Sequence, residues 1–511
     1  MRRWTVVTML VAGAGLLALP GCGGKTDEKA RAAGITPTDA VAFFSVNLSP
    51  SIEQQRNLKG IVEKFPGAAE EVKGDFEDAR DRLLDDVTEE AGLDFKTDVK
   101  PWLGNEVALA VLPPAAGQSL ADGDDPPVVL MFETDDAAKA TAAMKKSAAE
   151  GHFDGQSRVI GDFLVAASSA DDDIEMDSLD QVSAAAKADK GGLAKNAKFT
   201  SVVDDLAGDR LLLAWADGEA LAEMSGGALG SVLPPGLLGD GAGFAAADVH
   251  AEKSALVLRG VATVTGEGGG GEPVLTEGVP DSVLGALTLF DLASGARQAL
   301  SALAGLGGGF DLDDLTAGIG IDIEDDVLSW MEGEVVLVAG PAPSGGGIPD
   351  FAVIVEPTDQ TKAEAGVDKI AAALDDQGFT LDRREVAGAE AFVAPAEFEG
   401  VQPAMALFAD RFILATNVEF LETLATKASK SLGASDAYKS VIGQGSRSAT
   451  SFQLVLRIDP IREAIEAVFP SGGLADYERE AKSNVEPLNT FGLFSRRDGD
   501  RHRFEMRLTV D

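Results

Sequence analysis

Four aspartates have the type and spacing to do chemistry: Asp94 and Asp98 lie four apart, and so do Asp322 and Asp326. Carboxylates one helical turn apart can share a hard divalent cation, although helix caps and solvated surface groups account for them more simply. The three histidines, His152, His250 and His502, are too few and too scattered for a local metal motif. They are expected at solvent-facing turn or strand positions. The acidic run from Asp171 to Asp177 has Met176 where a calcium loop needs glycine and Val182 where it needs a bidentate glutamate. Gly266-x-Gly268-x-x-Gly271 carries the letters of a dinucleotide fingerprint without a convincing strand before it or helix after it, and reads as linker. Lys25-Thr26 resembles the end of a phosphate loop, yet Leu19 stands where the first glycine should be. No serine has glycine at both flanking second positions, so the nucleophile elbow is missing. The sequence therefore predicts no catalytic residue, no cofactor and no metal.

One side chain does point to a covalent modification. Met1 to Arg3 is a positive start and Trp4 to Leu19 an apolar stretch of signal-peptide length, ending in Leu19-Pro20-Gly21-Cys22. That tetrapeptide is similar to the lipobox of bacterial lipoproteins. A small residue before the cut suits the peptidase, and the thiol of Cys22 would take a thioether-linked lipid. Residues 1–21 are thus expected to be a signal peptide, and 22–34, small and polar, a tether. Two or three acyl chains would hold the protein to the membrane stably, where one would not. Cys22 is also the single cysteine, which excludes an intrachain disulfide.

Charge narrows the partners. The 84 acidic against 43 basic residues give −41, and loss of Arg2 and Arg3 with the signal makes it −43. Such a body repels nucleic acid and anionic lipid alike, and only two tyrosines and four tryptophans are available for stacking bases. The expected partners are the membrane, reached through the N-terminal lipid, and an unknown protein or apolar ligand, with no nucleic acid.

The aspartates belong to a repeat. Leu84 to Ala110 and Leu312 to Val338 align without a gap at an offset of 228, and 12 of their 27 positions are identical. This composition would give roughly two by chance. Asp98/Asp326, Trp102/Trp330 and Glu106/Glu334 are among the identities. The chain is an internal duplication. In each copy the pattern predicts a single helical turn, entered through Thr97 and closed by Gly104 in the first, and then a central strand. Trp102 and Trp330 are expected to pack under that strand as core pins, with ligand stacking as the alternative role.

The remaining elements follow the repeat. Strands open each copy after Asp39-Ala40-Val41 and Pro280-Asp281-Ser282-Val283, and hairpins close them at 244–264 and 491–510, the second turning at Asp498-Gly499. Aspartate-capped helices follow strands at 135–150 and 359–377. Between the opening strand and the repeated stretch, the first copy carries two helices. One has a stripe of Leu58, Ile61, Val62 and Phe65; the other has Val72, Phe76, Ala79, Leu83 and Val87 inside and Asp78, Asp81 and Asp85 largely outside. The second copy has the glycine-rich run Gly305 to Gly309 there, which makes the acidic helix pair a candidate partner surface, although a solvated face is the simpler account. The copies are expected at 35–265 and 278–511, joined by a glycine-rich linker, 266–277. The fold class is α+β, a tandem duplication of an antiparallel or mixed sheet with helices mainly on one face.

The lipobox, the opening Asp39-Ala40-Val41 strand and the stretch Asp98-Val99-x-x-Trp102-x-Gly104-x-Glu106-Val107-Ala108 together resemble the family known as domain of unknown function 3352. The resemblance implies a secreted or lipid-anchored bacterial protein. It carries over no catalytic residue, because that family has no assigned activity. The second copy reads Trp330-Met331-Glu332-Gly333-Glu334, shifting the glycine by one. The reading that results is a non-enzymatic envelope lipoprotein, a binding or scaffolding module. A carrier of a lipid or other apolar ligand is the alternative, and a hydrolase with a site hidden from sequence the third.

Overall fold

The computed structural model describes residues 30–71, 76–113, 126–168, 172–188, 191–206, 208–224, 243–264, 270–290, 320–342, 349–395, 401–426, 428–442, 449–468 and 477–511. These fall into two compact units. The first runs to Gly266 and includes Gly499–Glu505; the second is Glu267–Asp498 with Met506–Asp511.

In chain order the first unit contains β1 (Ala42–Asn47), α1 (Ile52–Val62), α2 (Pro66–Glu71), α3 (Phe76–Glu90), β2 (Leu103–Val111), β3 (Val128–Thr134), α4 (Ala137–Ala149), β4 (Gln156–Ile160), β5 (Phe163–Ser168), α5 (Asp172–Lys187), α6 (Ala197–Val203), β6 (Leu212–Asp217), α7 (Gly218–Met224), β7 (Phe244–Glu252) and β8 (Ala255–Thr263). Its sheet order is β4-β5-β3-β2-β1-β6-β7-β8, antiparallel throughout.

The second unit contains β9 (Gly285–Phe290), β10 (Glu334–Ala339), β11 (Phe351–Val355), α8 (Gln360–Asp376), β12 (Asp382–Val386), β13 (Ala389–Val393), β14 (Ala404–Leu407), β15 (Phe412–Ala415), α9 (Val418–Ala425), α10 (Asp436–Ile442), β16 (Thr450–Arg457), α11 (Ile458–Val468), α12 (Lys482–Val485) and β17 (Leu488–Asp498), and the last strand, β18 (Arg501–Val510), is divided between the units after Glu505. Its order is β12-β13-β14-β15-β11-β10-β9-β16-β17, again antiparallel. The first unit's order from β4 to β7 is reproduced strand for strand as β14 to β17, with β12-β13 added as an extra hairpin at one edge. The core positions on these strands agree as well: Ala110 lies opposite Phe43 in the first unit's core, and Val338, 228 positions on, lies opposite Ala286 in the second's.

Helices line both faces of each sheet, not mainly one. Side chains alternate along a strand, so the two faces of β5 can be followed separately. Phe163, Val165 and Ala167 pack with Leu179 and Val182 of α5 and Phe199 and Val202 of α6. The intervening Leu164 packs with Trp102 and with Ala140 and Ala143 of α4. In the second unit Val336 and Ile354 pack with Phe420 and Leu421 of α9 and Tyr438 of α10, while Val335 and Val355 pack with Trp330 and α8. Each fully buried aliphatic side chain in these layers contributes about 1.5–3 kcal/mol.

Both glycine-rich boundaries move. The tether expected to run to residue 34 stops earlier, because Ala32–Gly34 form a 3-10 turn whose Ala32 and Ala33 methyls fill the first unit's core. The linker expected over 266–277 ends inside the fold too. Gly271 bridges to Thr450, and Leu275–Glu277 form a matching turn with Leu275 in the core. Small residues look like linker by composition, yet they suit a tight turn pressed against a sheet.

The acidic helices of the first copy lie at α1 to α3, with Leu58 and Ile61 buried. Val72 falls outside the described residues, as does the second copy's segment 291–319 with Gly305–Gly309. Asp81, expected outside, is buried: Lys100 Nζ lies 2.5 Å from its Oδ2 and Arg80 Nη2 2.7 Å from its Oδ1. Burial raises its pKa, and the two cations more than offset that, leaving it below the ordinary carboxylate value. A helix wheel cannot show that a lysine from the next element covers the outer carboxylate.

Candidate functional site

The repeated aspartates, lysines and tryptophans build the same object in both units. Asp94 precedes a π-helical turn, Phe95–Val99, and its side chain accepts from Thr97 N at 2.8 Å; Asp322 does the same for Ile323–Val327, accepting from Asp325 N at 2.9 Å. The turn therefore starts at Asp94, not through Thr97, and Gly104 lies within β2 instead of closing it. The second aspartate reaches back: Asp98 Oδ2 accepts from Asp94 N at 3.0 Å, and Asp326 Oδ2 from Asp322 N at 2.8 Å. Each of these oxygens also takes a lysine from the following helix, Lys146 of α4 at 2.6 Å and Lys369 of α8. The lysine bonds hold Asp98 and Asp326 below the usual carboxylate range. Spacing that suggested a shared cation thus serves a reciprocal cap with an ammonium on it. Sequence analysis missed the lysines, although each stands ten residues past its helix cap, Asp136 or Asp359.

Trp102 and Trp330 sit beneath the first residues of β2 and β10, 3% and 1% exposed. Each indole meets one phenyl ring edge-on, Phe132 at 6.3 Å and Phe412 at 5.5 Å. Phe132 comes from β3 and Phe412 from β15, the counterpart of β5. Phe132 pairs with Leu164 across strands, and at the corresponding place Val355 pairs with Phe412. The aromatic has changed strands between copies while the layer stays filled, as volume-conserving exchange allows. Gly366 lets α8 come close, since a Cβ there would lie 2.3 Å from Asp326 O and 2.9 Å from Trp330 Nε1.

The strand that follows carries a buried glutamate, the fourth residue of β2 and the first of β10. Glu106 Oε2 accepts from Arg31 N at 2.8 Å and Ala32 N at 3.2 Å; Glu334 Oε2 accepts from Val274 N at 2.7 Å and Leu275 N at 2.8 Å. In both, Oε1 is buried without a hydrogen-bond partner. Burial pushes each carboxyl up to about 7 against the pull of those backbone donors. Around Glu106, Arg31 and Arg210 add attraction, and Arg31 also pairs with Glu133 of β3, which accepts from Asn105 N at 2.9 Å. Around Glu334, Glu356 and Glu277 add repulsion. The signal was present in the sequence: an acid conserved between the copies at the head of an apolar run.

The histidines are distributed differently from expectation. His152 is exposed, but His250 and His502 are buried, 4% and 5% exposed. His250 Nδ1 lies 3.0 Å from Asp248 Oδ1, and Arg259 Nη2 lies 2.5 Å from its Nε2. Arginine only donates, so Nε2 accepts and Nδ1 carries the proton given to Asp248. A nucleophile in an Asp-His-Ser arrangement would occupy the place Arg259 fills. The histidines were expected toward solvent; His250 is buried instead between Asp248 of its own strand and Arg259 of β8. The cluster is not duplicated: Phe244 N donates to Thr263 Oγ1 at 3.1 Å as Thr490 N does to Thr509 Oγ1 at 3.0 Å, and counting inward from these matched pairs puts Phe494 and Glu505 where Asp248 and Arg259 stand.

Two surfaces of the second unit complete the inventory. Leu337, Val353 and Leu414 stand in one row across β10, β11 and β15, with Phe351 two residues along; Leu337, Phe351 and Leu414 are 39%, 50% and 41% exposed. An open depression of about 610 Å³ is lined by Pro280, Asp281, Glu419, Glu422 and Lys430 among others. Among the described residues no group of His, Cys, Asp and Glu is arranged to hold a metal, and no helix is long and apolar enough to cross a membrane. Cys22 lies outside the described residues.

A family model described as a protein of unknown function, DUF3352, matches residues 4–160 and 312–510. The chain belongs to the DUF3352 family. The two DUF3352 matches each contain one copy of the repeated stretch, in agreement with the shared strand order. No curated protein matches this chain. The crystal structure titled "Structure of crystal form IV of TP0453" aligns with 47% of this chain and 93% of its own, at 10% identity and a TM-score of 0.24, a likeness that carries no argument.

Proposed function

We propose that this DUF3352 protein is a non-enzymatic, lipid-anchored envelope module that binds or scaffolds a partner outside the cytoplasmic membrane. The observation that carries the reading is what the duplicated polar residues do. Asp94, Asp98, Lys146 and Trp102, with Asp322, Asp326, Lys369 and Trp330, bond to one another and to backbone, and none of them converges on an open cleft. Duplication has copied a frame. Leu19-Pro20-Gly21-Cys22 supplies the anchor in this reading. Seven residues separate Cys22 from Ala30, so a fully extended tether would hold the first unit within about 25 Å of the bilayer. The net charge of −43 expected after processing would keep the body off anionic headgroups, leaving the lipid as the tether.

The test is Cys22→Ala in the native cell, with labelling by a palmitate analogue and fractionation of membranes. Loss of label and release or non-processing of the variant supports the anchor, whereas an unlabelled wild-type protein overturns it. Cross-linking from intact cells then reads the binding half of the proposal: a saturable partner supports it.

A second reading, a carrier of a lipid or other apolar ligand, draws on the exposed row Leu337, Val353 and Leu414 with Phe351. Lipid that co-purifies in native mass spectrometry and is lost in Leu337→Asp would favour it over the first.

A further inference from the structure

We propose that each copy is closed by a proton-sensitive clasp: the buried glutamate of the central strand, Glu106 or Glu334, holds the N-terminal turn of its own copy on the sheet, and ionisation of that carboxyl loosens the turn. This is independent of the lipid anchor and of any partner.

The geometry is the same twice. One carboxyl oxygen takes two successive backbone N–H groups at the start of a 3-10 turn, Arg31 and Ala32 before Ala32–Gly34, or Val274 and Leu275 before Leu275–Glu277. The other oxygen is buried and unpartnered. In each copy one carboxyl oxygen accepts from both amides, so the polar seating of the turn is tied to one titrating group, beside the apolar packing of Ala32 and Ala33 or Leu275. Ionising the carboxyl leaves a charge in a dry place with half its acceptor capacity unused, and burial of that sort costs more than two hydrogen bonds return.

The sign follows. In the seated state burial lifts both carboxyls to about 7, against 4.5 for the group in water. The seated turn therefore binds the proton more tightly than the released one. Its stability is fully present below about 4.5 and is lost as pH rises through about 7, after which it levels off. The surroundings differ between copies. Glu106 faces Arg31 and Arg210, with Glu133 engaged by Arg31; Glu334 faces Glu356 and Glu277. In the second clasp only the two backbone N–H groups favour the charged form, against the repulsion of Glu356 and Glu277. In the first copy the turn is also the point where the chain leaves toward Cys22, so its release would lengthen the link to the N-terminus by Arg31 to Gly34.

The experiment is hydrogen exchange by mass spectrometry on the full-length protein at pH 5.5 and pH 8.0, with rates corrected for intrinsic chemistry. Peptides spanning 30–36 and 272–280 are compared with those of β2 and β10. The clasp predicts that protection of both turns falls on the order of tenfold or more at the higher pH, while the strands hold. Trypsin should cut Arg31-Ala32 faster at pH 8.0 once its own pH dependence is removed with a model peptide. Glu106→Gln should flatten the profile of the first turn alone and Glu334→Gln that of the second alone. Equal corrected protection at both pH values in the wild type would overturn the proposal, and this arm stands even if a glutamine variant does not fold. A pH dependence that persists unchanged in both folded variants would overturn it equally.

Discussion

The indole N–H of Trp102 donates to the carbonyl of Asp98 at 2.5 Å, and that of Trp330 to the carbonyl of Asp326 at 2.8 Å. One aspartate in each unit therefore anchors three things: the amide of the residue that caps the π turn, a lysine from the next helix, and the tryptophan that fills the space between turn and sheet. The cost of bringing those groups together is spread over the same few atoms in both units, and substitutions there should be felt together.

Asp326→Ala should destabilise the second unit by about 1 kcal/mol through the lost cap, with the exposed Lys369 pair adding no more than about 1 kcal/mol. Because the Lys369 bond lowers the Asp326 carboxyl, its contribution is present above the unfolded value near 3.8 and disappears as pH falls through the depressed folded value. Lys369→Met should move the Asp326 carboxyl upward in a carbon-detected NMR titration. An unmoved carboxyl would show that the lysine does not bind there.

Gly366→Ala tests how closely α8 approaches the π turn. Helix propensity alone would make alanine better by about 1 kcal/mol. The methyl would meet Asp326 O, a backbone atom that cannot swing away, so urea unfolding should show a net loss of about 1–3 kcal/mol. A gain in stability would mean the helix stands further off than described.

Divalent cations should leave the fold untouched. The aspartates spaced for a shared ion already carry backbone donors and a lysine. Thermal unfolding in millimolar calcium or magnesium should match that in chelator within a degree. A saturable rise in the midpoint would restore the metal reading.

Much of this architecture was legible before any coordinates. A gapless repeat carrying Asp98, Trp102 and Glu106 at an offset of 228 announces two copies, and alternation with turn residues announces the closing hairpins. What escaped the sequence was contact made from elsewhere in the chain. Lys100 buries Asp81, and Arg259 with Asp248 makes room for His250 inside the sheet. Periodicity treats a side chain as facing in or out, whereas a polar group can face in once a partner on another element neutralises it. The same blindness hid the two 3-10 turns, whose small residues carry no pattern and are seated by Glu106 and Glu334. The site was less legible than the fold for the same reason.

The central claim is that residues common to both copies hold the frame and do not hold a ligand, and the paired tryptophans test it most directly. Urea unfolding of Trp102→Phe and Trp330→Phe should each show a loss of about 1–2 kcal/mol, from one buried hydrogen bond and part of a ring. Full wild-type stability in both variants, joined to loss of whatever partner cross-linking captures, would contradict the claim and make the indoles a binding surface.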